Sequence, residues 1–150
     1  MAKRPVCCEQ GAHFAGADAS VVKLAQQIGE RMGLAYQMLD DVLDYAGDEA
    51  LTQKPVLNDL RDGVYSLPLI YALTAEPQLA EQLPQPGDHI SNEQLLTIRD
   101  QVIALGGVTQ AQQLATHYTK TALNLIDQLP TGETQQTLRR LVTELLVRNH

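Results

Sequence analysis

The stretch GLAYQMLDDVLDYAGDE, residues 33–49, decides how this chain is read. Its apolar residues recur at helical spacing, yet Asp40, Asp41 and Asp44 stand inside the run. An α-helix advances about 100° per residue, so with Gln37 at zero these aspartates fall at roughly −60°, +40° and −20°. Gln37 and the three acids therefore share one narrow face. Ala35, Tyr36, Met38, Leu39, Val42 and Leu43 fill the wider arc as core candidates. Carboxylates this close repel one another unless a proton, a base or a metal intervenes. They also crowd the C-terminal turns of the helix, where the macrodipole disfavours negative charge. Such local conflicts concentrate where function requires them, and an acidic strip that merely solubilises a helix end is the plain alternative.

The candidates for neutralising the strip are a hard divalent cation such as Mg²⁺ and Lys54, just beyond the helix. Mg²⁺ takes oxygen ligands, keeps several waters and leaves positions for a phosphorylated substrate. That directs the reading to phosphate or diphosphate chemistry. The spacing does not fit a calcium-binding EF-hand loop, and no Gly-rich phosphate loop of P-loop type is present.

Composition sets the frame for this site. The 150 residues are 44% hydrophobic and 19% charged, which suits a soluble domain with a real core. Aromatics are 4% and Trp is absent, so the core must come from Leu, Ala, Val and Ile, and helix on helix is the expected packing. Net charge is −7, and seven acids against two bases between Asp40 and Asp62 account for −5 of it. A nucleic-acid-binding surface needs the opposite sign. No apolar run reaches membrane-spanning length, and MAKRPVCCEQ lacks the apolar stretch of a signal peptide, so a cytoplasmic, non-transmembrane protein is expected. Cys7 and Cys8 are adjacent, which fits neither a disulfide framework nor a CxxC knuckle; they read as small core-type residues. The four histidines show no ligand spacing.

Helical periodicity dominates the chain. A first helix is expected over residues 6–15, broken at Gly16. A second is capped by Asp18 or Ser20 and runs to about Ala46. A polar loop punctuated by Gly47, Pro55 and Gly63 follows. SLPLIYALT then reads as a short apolar helix with Pro68 in its first turn. Residues 76–90, with three of the seven prolines, form a connector. The next helix opens on a capping box, Ser91 with Gln94, and stops at Gly106 and Gly107. A long amphipathic helix from Val108 and a final one from Glu133 complete an all-α array.

With these motifs placed, GLAYQMLDDVLDY followed by QKPVLNDLRDGVYSLPLIYAL resembles the second half of the trans-isoprenyl diphosphate synthases, the polyprenyl synthetase family. The likeness is greatest to the heptaprenyl and octaprenyl diphosphate synthases. It rests on Tyr36, Gln37, Asp40, Asp41, Asp44, Lys54, Asp59, Leu67 and Pro68. The resemblance implies an all-α antiparallel helix bundle of the isoprenoid synthase fold, of which residues 1–150 are the C-terminal half. It implies Mg²⁺-dependent condensation of isopentenyl diphosphate with an allylic diphosphate. Asp40, Asp41 and Asp44 are then the catalytic acids, with Asp40 and Asp44 as metal ligands. Gln37, Lys54 and Asp59 are assigned to substrate binding.

The chain also departs from the family pattern. No second DDxxD occurs, Gln53 stands where a Gly precedes the loop lysine, and Val64 occupies a position that is often Lys. Half of a synthase domain is expected to expose apolar surface and to associate as a homo- or hetero-oligomer. A half-domain that binds Mg²⁺ and diphosphate, or a partner chain, without turnover is the alternative.

Overall fold

The computed structural model describes residues 6–46, 57–84 and 90–147. Among them are seven α-helices and one 3₁₀ segment, and no strand. Helix α1 (Val6–Phe14) ends as its glycine predicts. Gly16 takes φ 72°, the Gly16 N–H bonds to the His13 carbonyl, and the Ala17 N–H reaches back to Ala12. These paired bonds satisfy the last carbonyls of the helix and need a left-handed residue at this point. Helix α2 (Ala19–Ala46) follows at once, which puts Asp18 rather than Ser20 at its start.

After α2 come α3 (Asn58–Arg61), α4 (Leu67–Ala75), the 3₁₀ segment Pro77–Gln82, α5 (Asn92–Ala104), α6 (Gly107–Ile126) and α7 (Glu133–Val147). The segment read as a loop thus contains a helical turn, and the proline-rich connector contains the 3₁₀ segment. Gly47, Lys54 and Pro55 lie outside the described residues.

The chain divides into two compact units, residues 1–37 with 114–150 and residues 38–113. In the first, Ile28, Ala122, Ile126 and Val142 form the buried core, with Leu24, Met32 and Leu138 packed against it. The last carbonyl of α6 and the turn beyond it are satisfied from α7: Gln135 Nε2 donates to the carbonyls of Ile126 and Leu129, both at 3.1 Å. Arg139 pairs with Asp127, and the Arg31 guanidinium lies 5.3 Å from the centre of the Tyr118 ring. An apolar groove of about 550 Å³ is lined by Cys7, Cys8, Ala25, Ile28, Leu129 and Leu138 among others. The cysteines are not core residues as expected. Cys7 is exposed and Cys8 half-buried, and both line this groove rather than the packed core.

In the second unit, Val42, Tyr45, Leu60, Leu69, Ala72, Leu95, Ile98 and Val102 form a larger core. Two members of the expected apolar arc of α2 depart from the wheel. Ala35, Leu39 and Val42 are buried, but Tyr36 is 52% exposed and Leu43 43%. Both sit on the flank next to the acids, beyond the sector that the core covers.

Candidate functional site

Asp40, Asp41 and Asp44 occupy one side of α2, as the wheel requires, and their surroundings differ. Asp40 is exposed, whereas Asp41 and Asp44 are half-buried. Asp44 Oδ1 accepts from the Asn58 N–H at 3.1 Å and Oδ2 from the Asp59 N–H at 3.2 Å. The Asp44 carbonyl also accepts from the Leu57 N–H. Asp41 Oδ2 accepts from the Leu67 N–H at 3.1 Å.

These bonds explain the short helix. A single turn is intrinsically unfavourable to nucleate, and four amino-terminal N–H groups of any helix lack internal partners. Leu57, which precedes α3, adopts φ 61° and offers no capping side chain. The carboxylate of Asp44 supplies the cap from the preceding helix. At the other end Gly63, with φ 71°, closes the turn: its N–H bonds to Leu60, and the Val64 N–H bonds to the Asp59 carbonyl at 2.7 Å. Asp59 is therefore fixed by its backbone at both sides.

Helix α4 begins by the same device. Ser66 stands at its N-cap but makes no side-chain cap bond. Its hydroxyl donates instead to the buried Tyr45 hydroxyl at 3.4 Å. Asp41 takes the Leu67 N–H, and Pro68, with no N–H, has none to satisfy. A negative charge here is also favoured by the dipole of α4.

The electrostatics carry a cost. Burial raises the Asp44 carboxyl above its usual value despite the backbone hydrogen bonds that lower it, and Asp41 adds to the rise. Asp59 is raised by burial and then by Asp44, Asp41, Asp40 and Asp62. Burial, with added repulsion from Asp44, Asp59 and Asp41, pushes the Tyr45 phenol up to about 12, against a lowering bond from Ser66. The region thus holds a concentrated negative potential. Arg61 directs its Nη2 to Asn92 Oδ1 of α5.

Of the expected site residues, Asp40, Asp41, Asp44 and Asp59 gather in the second unit. Gln37 is exposed on α2 and belongs to the first unit, and Lys54 lies outside the described residues. Sequence reasoning missed Tyr45, Leu57, Gly63 and Ser66 as parts of this region. Gly63 carried a usable signal, a glycine one residue past NDLRD. Among the described residues no three His, Cys, Asp or Glu side chains are grouped to hold a metal ion by themselves. The donor set is nevertheless all oxygen and highly anionic, which fits a hard cation sharing its coordination sphere with water and substrate.

The family profile described as Polyprenyl synthetase matches residues 5–102, well over half of the chain. The chain belongs to the polyprenyl synthetase family. It is 32% identical over 133 residues to heptaprenyl diphosphate synthase component 2 of Bacillus subtilis, covering 89% of this chain and 38% of that protein. The crystal structure of geranylgeranyl pyrophosphate synthase from Lactobacillus brevis, complexed with citrate, superposes with a TM-score of 0.86 at 47% identity. That match covers 97% of this polyprenyl synthetase chain and 47% of the other. The geranylgeranyl pyrophosphate synthase of Corynebacterium glutamicum, complexed with calcium and isoprenyl diphosphate, matches with a TM-score of 0.81 at 28% identity, over 93% and 44% of the two chains. The all-α isoprenoid synthase fold is therefore shown. The chain spans less than half the length of each of these proteins. No helix among the described residues is long and apolar enough to cross a membrane.

Proposed function

We propose that this chain carries the second acidic motif of a polyprenyl diphosphate synthase, in the C-terminal half of the synthase domain. On this reading it serves Mg²⁺-dependent condensation of isopentenyl diphosphate with an allylic diphosphate. The observation that carries the reading is the acidic strip of α2 with Asp59 fastened beside it, in a chain of this family. Asp40, exposed on the strip, is the residue best placed to meet a hydrated cation. Each carboxylate oxygen of Asp44 uses one lone pair on a backbone N–H, and the others remain for a metal or its water. Asp41 and Asp59 add negative charge around that position, and Gln37 and Lys54 are assigned to the diphosphate. When bound, Mg²⁺ supplies positive charge that stabilises the departing diphosphate. A calcium and isoprenyl diphosphate complex of a relative supports this donor chemistry.

The test is incubation with Mg²⁺, isopentenyl diphosphate and farnesyl diphosphate, alongside calorimetry with Mg²⁺ and a diphosphate analogue. Longer prenyl products, together with metal-dependent binding lost in Asp40→Ala, support the reading. Failure of both product formation and binding overturns it.

A second reading is favoured by one relative being a component 2 and by the exposure of Phe14, Tyr36, Leu43 and Ile70. The chain then acts as a subunit of a homo- or hetero-oligomer and binds diphosphate without turnover alone. Binding without product, with activity on adding a partner chain, distinguishes it.

A further inference from the structure

We propose that Asp41 and Asp44 are positioning residues that clamp the segment from Leu57 to Leu67 onto α2 and so deliver Asp59 to the acidic strip. This inference rests on the proposed function for its consequence and on the hydrogen bonds for its geometry. Both oxygens of Asp44 receive consecutive backbone N–H groups, and Asp41 receives the first N–H of α4 ten residues later than Leu57. The two acids therefore grip the segment at both ends. Between those grips lie Asp59 and Asp62 and the turn at Gly63. Burial of Leu57 and Leu60 beside Val42 and Tyr45 holds the segment in the core, and the two carboxylates fix how its backbone sits against the strip. Without those bonds, Asp59 and Asp62 would be repelled by Asp40, Asp41 and Asp44, and a four-residue helix does not persist alone.

The division of labour follows from the bonding. Asp40 is exposed and carries none of the three bonds to the segment. Asp41 and Asp44, one helical turn apart, provide acceptors of fixed spacing that a metal alone would not supply. The short DDxxD pattern thus contains two kinds of acid: Asp40, which bonds none of the segment, and Asp41 and Asp44, whose carboxylates also hold a distant stretch of chain. An asparagine at position 44 keeps the shape but offers one acceptor oxygen where the carboxylate offers two.

Two measurements on the whole chain test this. The first is hydrogen exchange by NMR without metal. In Asp44→Ala the amides of Asn58 and Asp59 are expected to exchange about ten-fold faster, the scale of one charge-assisted hydrogen bond. Core amides such as Val102 should hold. Asp59→Asn should leave the Asn58 and Leu67 amides protected. The second is calorimetry with Mg²⁺ and inorganic pyrophosphate on Asp44→Asn, Asp59→Asn and the double variant. If Asp44 acts through Asp59, each single change weakens binding several-fold and the double change weakens it little further. Unchanged exchange at Asn58 and Asp59 overturns the clamp, and additive losses of affinity overturn positioning through Asp59. Parent protein that binds no Mg²⁺ and pyrophosphate overturns the proposed function, while the exchange result then decides the clamp by itself.

Discussion

Helices α4 and α5 begin in opposite ways. At α5 the cap is local: the Ser91 hydroxyl accepts from the Gln94 N–H at 3.2 Å, and the Gln94 side chain accepts from the Ser91 N–H at 3.0 Å. At α4 the residue in the same position is also a serine, yet its hydroxyl turns to Tyr45, and Asp41 on α2 takes the Leu67 N–H. A cap made within four residues stabilises only its own helix. A cap reaching across 26 residues also fixes where that helix starts relative to α2. The first kind is punctuation, and the second is architecture for a site.

The strongest way to break the remote start of α4 is to push it away. A Cβ on Gly107 would lie 2.3 Å from the Pro68 carbonyl oxygen, with Val102 atoms at 3.1 Å. Backbone cannot give as a flexible side chain can, so Gly107→Ala is expected to destabilise the chain by about 3 kcal/mol or more, read as a lowered urea midpoint. Next comes Asp44→Ala, which strands two N–H groups of α3; a loss of about 2 kcal/mol is expected in the same assay. Ser91→Ala removes the local cap and should cost about 1 kcal/mol, with faster amide exchange confined to the first turn of α5. Equal spreading of the exchange effects in Asp41→Ala, which removes the acceptor of the Leu67 N–H, and in Ser91→Ala would erase the contrast between the two starts.

The smallest effect should be a gain. Asp59 has its carboxyl raised above the ordinary 3.8 by burial and neighbouring acids. A raised carboxyl binds its proton more tightly in the folded than in the unfolded chain. It therefore favours folding below its unfolded value, and that contribution is lost as pH rises through the folded value. Asp59→Asn should accordingly melt slightly above the parent at about pH 7, and the gap should shift in the parent's favour as pH falls to about 4. A variant that melts below the parent at neutral pH would show that the Asp59 carboxylate has a stabilising partner.

Much of this was legible before the structure. Long amphipathic runs, Gly16, the Ser91–Gln94 box and Pro68 marked the principal helices, because periodicity, left-handed glycine and side-chain caps act over a few residues. The acidic face of α2 was legible for the same reason. Helix α3 was not, since only Gly63 marks its end and its start after the left-handed Leu57 depends on Asp44, fourteen residues back. Tyr36 and Leu43 were read as core, although a wheel shows which residues share a side without showing how wide a sector is covered. Adjacent cysteines met the same limit.

By itself, then, the sequence determined an all-helical chain and a strip of carboxylates on one face of its second helix. Both follow from the 3.6-residue repeat, which any stretch of this chain carries locally. The tertiary structure alone decided that these carboxylates have different surroundings. Asp40 is left in solvent, while Asp41 and Asp44 meet backbone N–H groups from residues 58, 59 and 67. The physical reason is that a helix end needs acceptors for its N–H groups but does not specify where in the chain they come from.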